Sequence, residues 1–218
     1  MQTTKLFVAA LLALTVVGST VTWEKRKESP PDVLETPVEK LSIVLPFSSA
    51  VSVTPKFPEW WRDVEGKKWE VDLFRALNQE LTVGSTYVGL GEWVGAASLF
   101  ALQRAKKAVL VEPDPTAYNI LAENVEANDY FKVAYLEADC ISDFDGPAVM
   151  YGSGASVSSL VKGFPWLSSA PSFDVHCTIL SSLFAKYGVS TDEPVFLKID
   201  VEGQLLGQCS RCYVAILC

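Results

Sequence analysis

The sequence predicts an α/β fold: a mainly parallel sheet with helices on its faces. Three observations carry that prediction. Between Thr86 and Leu136, apolar runs of strand length alternate with longer segments of helical period. A glycine turn, Gly89-Leu-Gly-Glu-Trp-Val-Gly95, joins the first such run to the helix that follows it. The connections are short, so the order strand–helix–strand–helix–strand leads to parallel strands with crossover helices packed against them. Apolar residues make up 49% of the 218-residue chain and charged residues 20%, a globular composition.

In chain order, residues 1–23 come first. Leu6 to Leu14 is strictly apolar and has the length of the hydrophobic region of a signal peptide. Extended to Trp23, the segment would reach only about 27 Å as a helix, short for a bilayer. Gly18 and Ser19 suit a cleavage site, whereas Trp23 and Glu24-Lys-Arg-Lys27 suit an interfacial anchor. Both fates imply entry into the secretory pathway, and residues 6–22 offer a means of membrane association.

Residues 24–60 read as a linker. Pro30, Pro31, Pro37, Pro46, Pro55 and Pro58 forbid a long helix there, and Leu41 to Phe47 is an apolar patch suited to a short strand or to docking. Residues 61–218 form the expected domain. Trp69, Leu73, Phe74, Leu77 and Leu81 recur at helical spacing up to the stop at Val83-Gly84. Tyr87-Val88 is a strand leading into the glycine turn, and Ala96 to Ala105 is its helix. A strand follows at Ala108 to Glu112. Pro113-Asp-Pro115 then starts a helix that buries Tyr118, Leu121 and Val125 and stops at Asn128-Asp129. Lys132 to Leu136 is the third strand. From Asp143 to Pro171, frequent Gly, Ser and Pro predict an irregular insert or hairpin, with weak strands at Ala148–Tyr151 and Val157–Val161. Phe173 to Ile179 reads as a strand, Leu180 to Tyr187 as a helix, and Val195 to Ile199 as a buried strand ending in Asp200-Val-Glu-Gly203.

Charge narrows the function. The net charge is −8, and the longest basic run is Lys25-Arg26-Lys27. Nucleic acid binding draws on Lys and Arg against phosphates, so nucleic acid is not an expected partner. Of the five cysteines, Cys209 and Cys212 form a C-x-x-C near the end of the chain, but no second pair or nearby His completes a zinc set, and no metal is expected. His176, the single histidine, lies in an alternating strand-like run and reads as structural.

The candidate site gathers at the ends of the strands. Gly89, Gly91 and Gly95 let a ligand approach the backbone at a strand-to-helix turn. Glu112 ends the next strand about 20 residues later, where a carboxylate accepts hydrogen bonds from a ribose diol. Asp200 and Glu202 follow the buried strand Val195–Ile199 as two further carboxylates at a strand end. A purely structural role for these groups, as turn glycines and strand-end caps, remains open on the sequence alone.

Three motifs in order carry a resemblance: Tyr87-Val-Gly-Leu-Gly-Glu-Trp-Val-Gly95, then Val111-Glu-Pro-Asp-Pro115 with Asn124 and Asn128, then Phe196-Leu-Lys-Ile-Asp-Val-Glu-Gly203. From Trp69 to Gly203 the chain resembles the FkbM-type methyltransferases, which are class I S-adenosylmethionine-dependent enzymes. The resemblance implies a Rossmann-like sheet, S-adenosylmethionine as methyl donor, and an oxygen acceptor on a sugar or small metabolite. It implies that Gly89, Gly91 and Gly95 shape the loop around the methionine part of the cofactor, that Glu112 holds the ribose and that Asp139 sits by the adenine. Asp200 or Glu202 would take the acceptor's proton or orient the hydroxyl, a weak nucleophile until a base acts on it.

Two departures stand out. Many members carry Asp where this chain has Gly89, and the neighbouring Glu92 is the substitute. After Gly203 the family pattern is not followed, which predicts a domain shortened at about residue 203, with the fourth strand as an open apolar edge. Two other readings compete: an NAD(P)-dependent oxidoreductase on the same sheet, although no Tyr-x-x-x-Lys is present, and a non-catalytic membrane-anchored protein.

Overall fold

The glycine turn and the strands around it dictate the architecture. A computed structural model describes residues 39–152, 158–160, 169–201 and 216–217. Four strands run parallel: β3 (Thr86–Leu90), β4 (Lys107–Val111), β5 (Ala134–Glu137) and β9 (Val195–Ile199). Their order is β9-β3-β4-β5, and β10 (Ile216–Leu217) adds an antiparallel pair beside β9 at Leu197 and Phe196. The edge expected to stand open is therefore partly covered. This is a mixed α/β, Rossmann-like sheet flanked by helices.

Strand alternation divides the residues between two cores. Tyr87, Ala108, Leu110 and Phe196 join one core with α1 (Pro58–Glu65), α2 (Val71–Glu80), α3 (Ala96–Leu102) and α4 (Pro115–Glu126). Val88, Leu90, Val109, Val111, Val195 and Leu197 join the other with Leu183 of α5 (Leu180–Tyr187). A parallel sheet needs both faces covered, and these strands accordingly read as nearly continuous apolar runs.

Residues 41–53, inside the stretch read as linker, are part of the first core. β1 (Leu41–Val44) and β2 (Ala50–Val53) pair as a hairpin that buries Ile43, Leu45, Val51 and Val53. The short strand expected within Leu41–Phe47 is β1, and the prolines permit its partner as well: Pro46 lies in the turn and Pro55 beyond β2, where neither interrupts a ladder bond. Two asparagines, Asn124 on α4 and Asn128 just past its C-terminal end, hold the hairpin. Thr54 N–H donates to Asn124 Oδ1 at 2.7 Å, Ser52 N–H donates to Asn128 Oδ1 at 2.9 Å, and Asn128 Nδ2 returns a bond to the Ser52 carbonyl at 2.7 Å. Asn124 Nδ2 also donates to the Val94 carbonyl at 2.8 Å, tying the glycine loop to the same helix.

Within the stretch expected to be an irregular insert or hairpin, Gly146–Tyr151 is a full strand, β7, which covers the expected weak strand at Ala148–Tyr151. It pairs with β8 (Ser172–Thr178), and β6 (Cys140–Ile141) completes a small three-stranded sheet ordered β6-β8-β7. Register partners Cys140 and Cys177 are joined by a disulfide. They and Met150 are the buried residues of a small third core. Among the described residues no helix is long and apolar enough to cross a membrane, and the candidate segment 6–22 lies outside them.

Candidate functional site

The carboxyl ends of β3, β4 and β9 open into a cleft of about 400 Å³. One wall is aromatic. Trp60 makes edge contacts with Trp69 at 4.9 Å and with Trp93 at 4.6 Å between ring centroids. Another wall comes from the small sheet, through Cys140, Met150 and Leu160. The floor is the glycine loop and the end of β9.

The loop is built without spare room. Gly91 has φ +73, and a Cβ there would collide with the Asp200 carbonyl oxygen, so only glycine fits. Gly91 and Glu92 N–H both donate to the Val111 carbonyl, at 2.9 and 3.1 Å, and Asp200 N–H donates to the Leu90 carbonyl at 2.9 Å. Gly95 is the cap of α3. Gly89 lies in β3 beneath the cleft, and a Cβ there would strike the Glu92 carboxylate. Glu92 thus folds back into the place a side chain at position 89 would occupy. That carboxylate is fully buried; it accepts from Tyr87 OH at 3.1 Å and from Ser98 Oγ, and it pairs with Lys198 Nζ at 3.1 Å.

Glu112 accepts from Trp93 N–H at 2.7 Å on one oxygen and from Asp114 N–H at 2.9 Å on the other. Burial pushes its carboxyl up to about 7 against these bonds and the Lys198 charge, which act to lower it. A carboxylate has about four acceptor sites, so two bonds fix its plane and leave capacity for a diol. The adjoining Asp114 caps α4 through Thr116 N–H at 2.9 Å and Ala117 N–H at 3.2 Å. Its other oxygen accepts from Ser158 Oγ at 2.7 Å, linking the cap to a residue of the cleft wall.

Of the residues singled out from sequence, Gly91, Glu92, Glu112 and Asp200 line the cleft together. Asp139 does not. It faces a separate groove of about 340 Å³, where its Oδ2 lies 3.1 Å from His176 Nδ1. Its neighbour Cys140 takes the cleft position instead. Glu202 lies outside the described residues, as do Cys209 and Cys212. Among the described residues no cluster of three or more His, Cys, Asp or Glu side chains is placed to hold a metal ion.

Lys198 is the residue that sequence reasoning passed over. It is 5% exposed, donates to the Gly91 carbonyl at 2.7 Å, and lies 3.6 Å from Asp200 Oδ2 as well as against Glu92. Burial alone would lower its pKa, but the charges of Glu92 and Asp200 hold it above the usual lysine value. The signal was present: a lysine inside Val195-Phe-Leu-Lys-Ile199 must find a counterion if that strand is buried.

Fold and site define a Rossmann-like α/β domain with an acidic, aromatic-walled cleft at the carboxyl ends of its central strands. No family model matches the chain, and no curated protein matches it. Among solved structures it is similar to the crystal structure of the M. jannaschii tRNA m1G37 methyltransferase, at 14% identity and a TM-score of 0.33. The match covers 48% of this chain and 33% of that one, so this chain spans about a third of that structure's length.

Proposed function

We propose that the protein is an S-adenosylmethionine-dependent methyltransferase of the FkbM-like type, acting on a hydroxyl of a sugar or small metabolite. The observation that carries this reading is the charge of the cleft. Its lining includes the carboxylates of Glu70, Glu92 and Asp200, with Glu112 joining them as the pH rises through about 7, against the two cations Lys68 and Lys198. Lys198 is engaged by Glu92, while Lys68 is a surface side chain 3.7 Å from Asp63. Such a wall suits a cationic ligand and opposes a pyrophosphate, which weighs against the NAD(P)-dependent oxidoreductase.

S-adenosylmethionine, when bound, supplies a methyl group on a positively charged sulfur. Glu112 would hold its ribose, and the Gly91 loop would admit its amino acid part. The apolar wall of Ile141, Met150 and Leu160 suits a flat base. Asp200, whose side chain is 26% exposed, is the group at the cleft with a carboxylate available to take or orient the acceptor's proton. Trp60 and Trp69 offer aromatic faces on which the C–H face of a sugar ring would pack.

The Cys140–Cys177 disulfide supports residence in an oxidising compartment, in keeping with a secretory route and membrane association through residues 6–22. At a net charge of −8, nucleic acid is not proposed as the acceptor.

The test is a thermal-shift series followed by calorimetry with S-adenosylmethionine, S-adenosylhomocysteine and NADH. The first two are expected to raise the melting temperature and NADH to leave it unchanged. Stabilisation by NADH alone would replace this reading with the oxidoreductase, and stabilisation by none of the three would remove the cofactor claim.

A further inference from the structure

We propose that Lys198, Glu92 and Asp200 form a charge triad that sets the ligand charge the cleft prefers, with Lys198 as its specificity-determining residue. The proposal rests on the methyl-donor reading for the ligands that test it.

The geometry starts from β-sheet register. Lys198 of β9 is the direct partner of Gly89 of β3. Its neighbours along the same face, Phe196 and Tyr87, stack with ring centroids 6.0 Å apart. One step on, Gly89 has no side chain to set against the lysine. The space over it is filled by the carboxylate that Glu92 folds back, and Tyr87 OH and Ser98 Oγ hold that carboxylate in place. The lysine therefore has one fixed counterion, Glu92, and leans toward a second, Asp200, whose carboxylate lines the cleft.

If the lysine and Glu92 only filled space, an apolar pair would do so without the desolvation cost of two buried ions. As an ionic group they do something an apolar pair cannot. Two carboxylates against one cation leave the triad with a single negative charge in excess, displayed at Asp200. A ligand of net charge +1 neutralises it. S-adenosylmethionine, with its sulfonium, ammonium and carboxylate, carries +1. S-adenosylhomocysteine, the thioether left when the methyl group moves to the acceptor oxygen and the hydroxyl proton departs, carries zero. The triad thus favours donor over product, and product release follows from the loss of charge. Other charged groups facing this space are Glu112 at the end of β4, Glu70 before α2 and Lys68. The Lys198 charge helps keep Glu112 ionised, so the double variant, which shares the loss of Lys198, is the reference for Lys198→Met.

The experiment is calorimetry with both ligands at pH 8, on wild type, Lys198→Met, Asp200→Asn and the Glu92→Gln/Lys198→Met double variant, each first checked for a cooperative melt. The quantity read is the preference for S-adenosylmethionine over S-adenosylhomocysteine. Lys198→Met makes the wall more negative and should raise the preference at least about five-fold, Asp200→Asn should lower it by a similar factor, and the double variant should restore the wild-type value, as expected for one charge a few ångströms away at moderate dielectric. If Lys198→Met does not melt cooperatively, Asp200→Asn and the double variant decide the matter. A wild type that binds both ligands while the preference stays constant across the variants overturns the triad alone. A wild type that binds neither overturns the donor reading and the triad with it.

Discussion

The parallel sheet and the small β6-β8-β7 sheet both wall the cleft, yet they are held by different means. The parallel sheet buries both faces, with Tyr87 and Leu110 on one and Val88 and Val109 on the other all at 0% exposed, and its helices seal it. The small sheet has three residues in its core, two of which are the cysteines of one disulfide, while Val149 on the same sheet is 45% exposed. One region is stabilised by apolar area removed from water, the other by a covalent constraint across a chain separation of 37 residues. A cleft built between them has a floor sealed by apolar packing and one wall tied by a covalent bond.

That contrast can be broken most directly in the large core. Leu110→Ala should cost about 2–5 kcal/mol and speed hydrogen exchange throughout the parallel sheet. Reducing the disulfide, or Cys177→Ser, should cost about 3–4 kcal/mol by the loop-entropy relation, but with faster exchange confined to residues 140–151 and 172–178. Equal effects of the two changes on all amides would show that the sheets are a single cooperative unit. Asn124→Ala probes the fastening of the hairpin. It strips the Thr54 N–H and the Val94 carbonyl of their partner at a site 0% exposed and should lower stability by about 1–3 kcal/mol in denaturant melts.

The finest distinction lies between two carboxyls at neighbouring strand ends. Glu112 is pushed up to about 7 from 4.5, so the folded state binds its proton more tightly than the unfolded chain. Its contribution is complete below about pH 4.5 and is lost as the pH rises through about 7, by at most about 3 kcal/mol. Glu137 behaves in the opposite way. Partial burial acts to raise it, but hydrogen bonds from Lys186 and Tyr187 bring it below the usual value, so its contribution is lost as the pH falls. Carbon-13 titration of the two side chains should place the Glu112 midpoint near 7 and that of Glu137 under 4.5. Coincident midpoints would mean that Glu112 is solvated rather than enclosed.

The parallel sheet was legible because its signals are local. Apolar runs, a glycine turn and Pro115 at a helix start each act within a few residues, and Val195–Ile199 was read to its observed ends. Of the hairpin at 41–53 only the first strand, within the apolar patch Leu41–Phe47, was legible, because what fixes the pair lies at and just beyond the end of α4, 76 residues away for the Ser52–Asn128 bond. The disulfide escaped for the same reason: with five cysteines, pairing is a property of register between β6 and β8, which no spacing encodes. At the site, residue types that end strands were found, whereas Lys198, inside a strand, was counted with its apolar neighbours. The family resemblance implies a place by the adenine for Asp139, but the turn into β6 directs it toward His176 and gives the cleft Cys140.

Gly91 has a further consequence for motion. With the Asp200 carbonyl filling the volume a side chain would take, and Asp200 N–H bonded to Leu90, the ends of β3 and β9 cannot slide past one another or hinge apart without breaking the sheet itself. A ligand therefore cannot enter by the floor giving way. Any opening that admits it would have to come at the sides, along the tryptophan helix α1 or the disulfide-bound sheet.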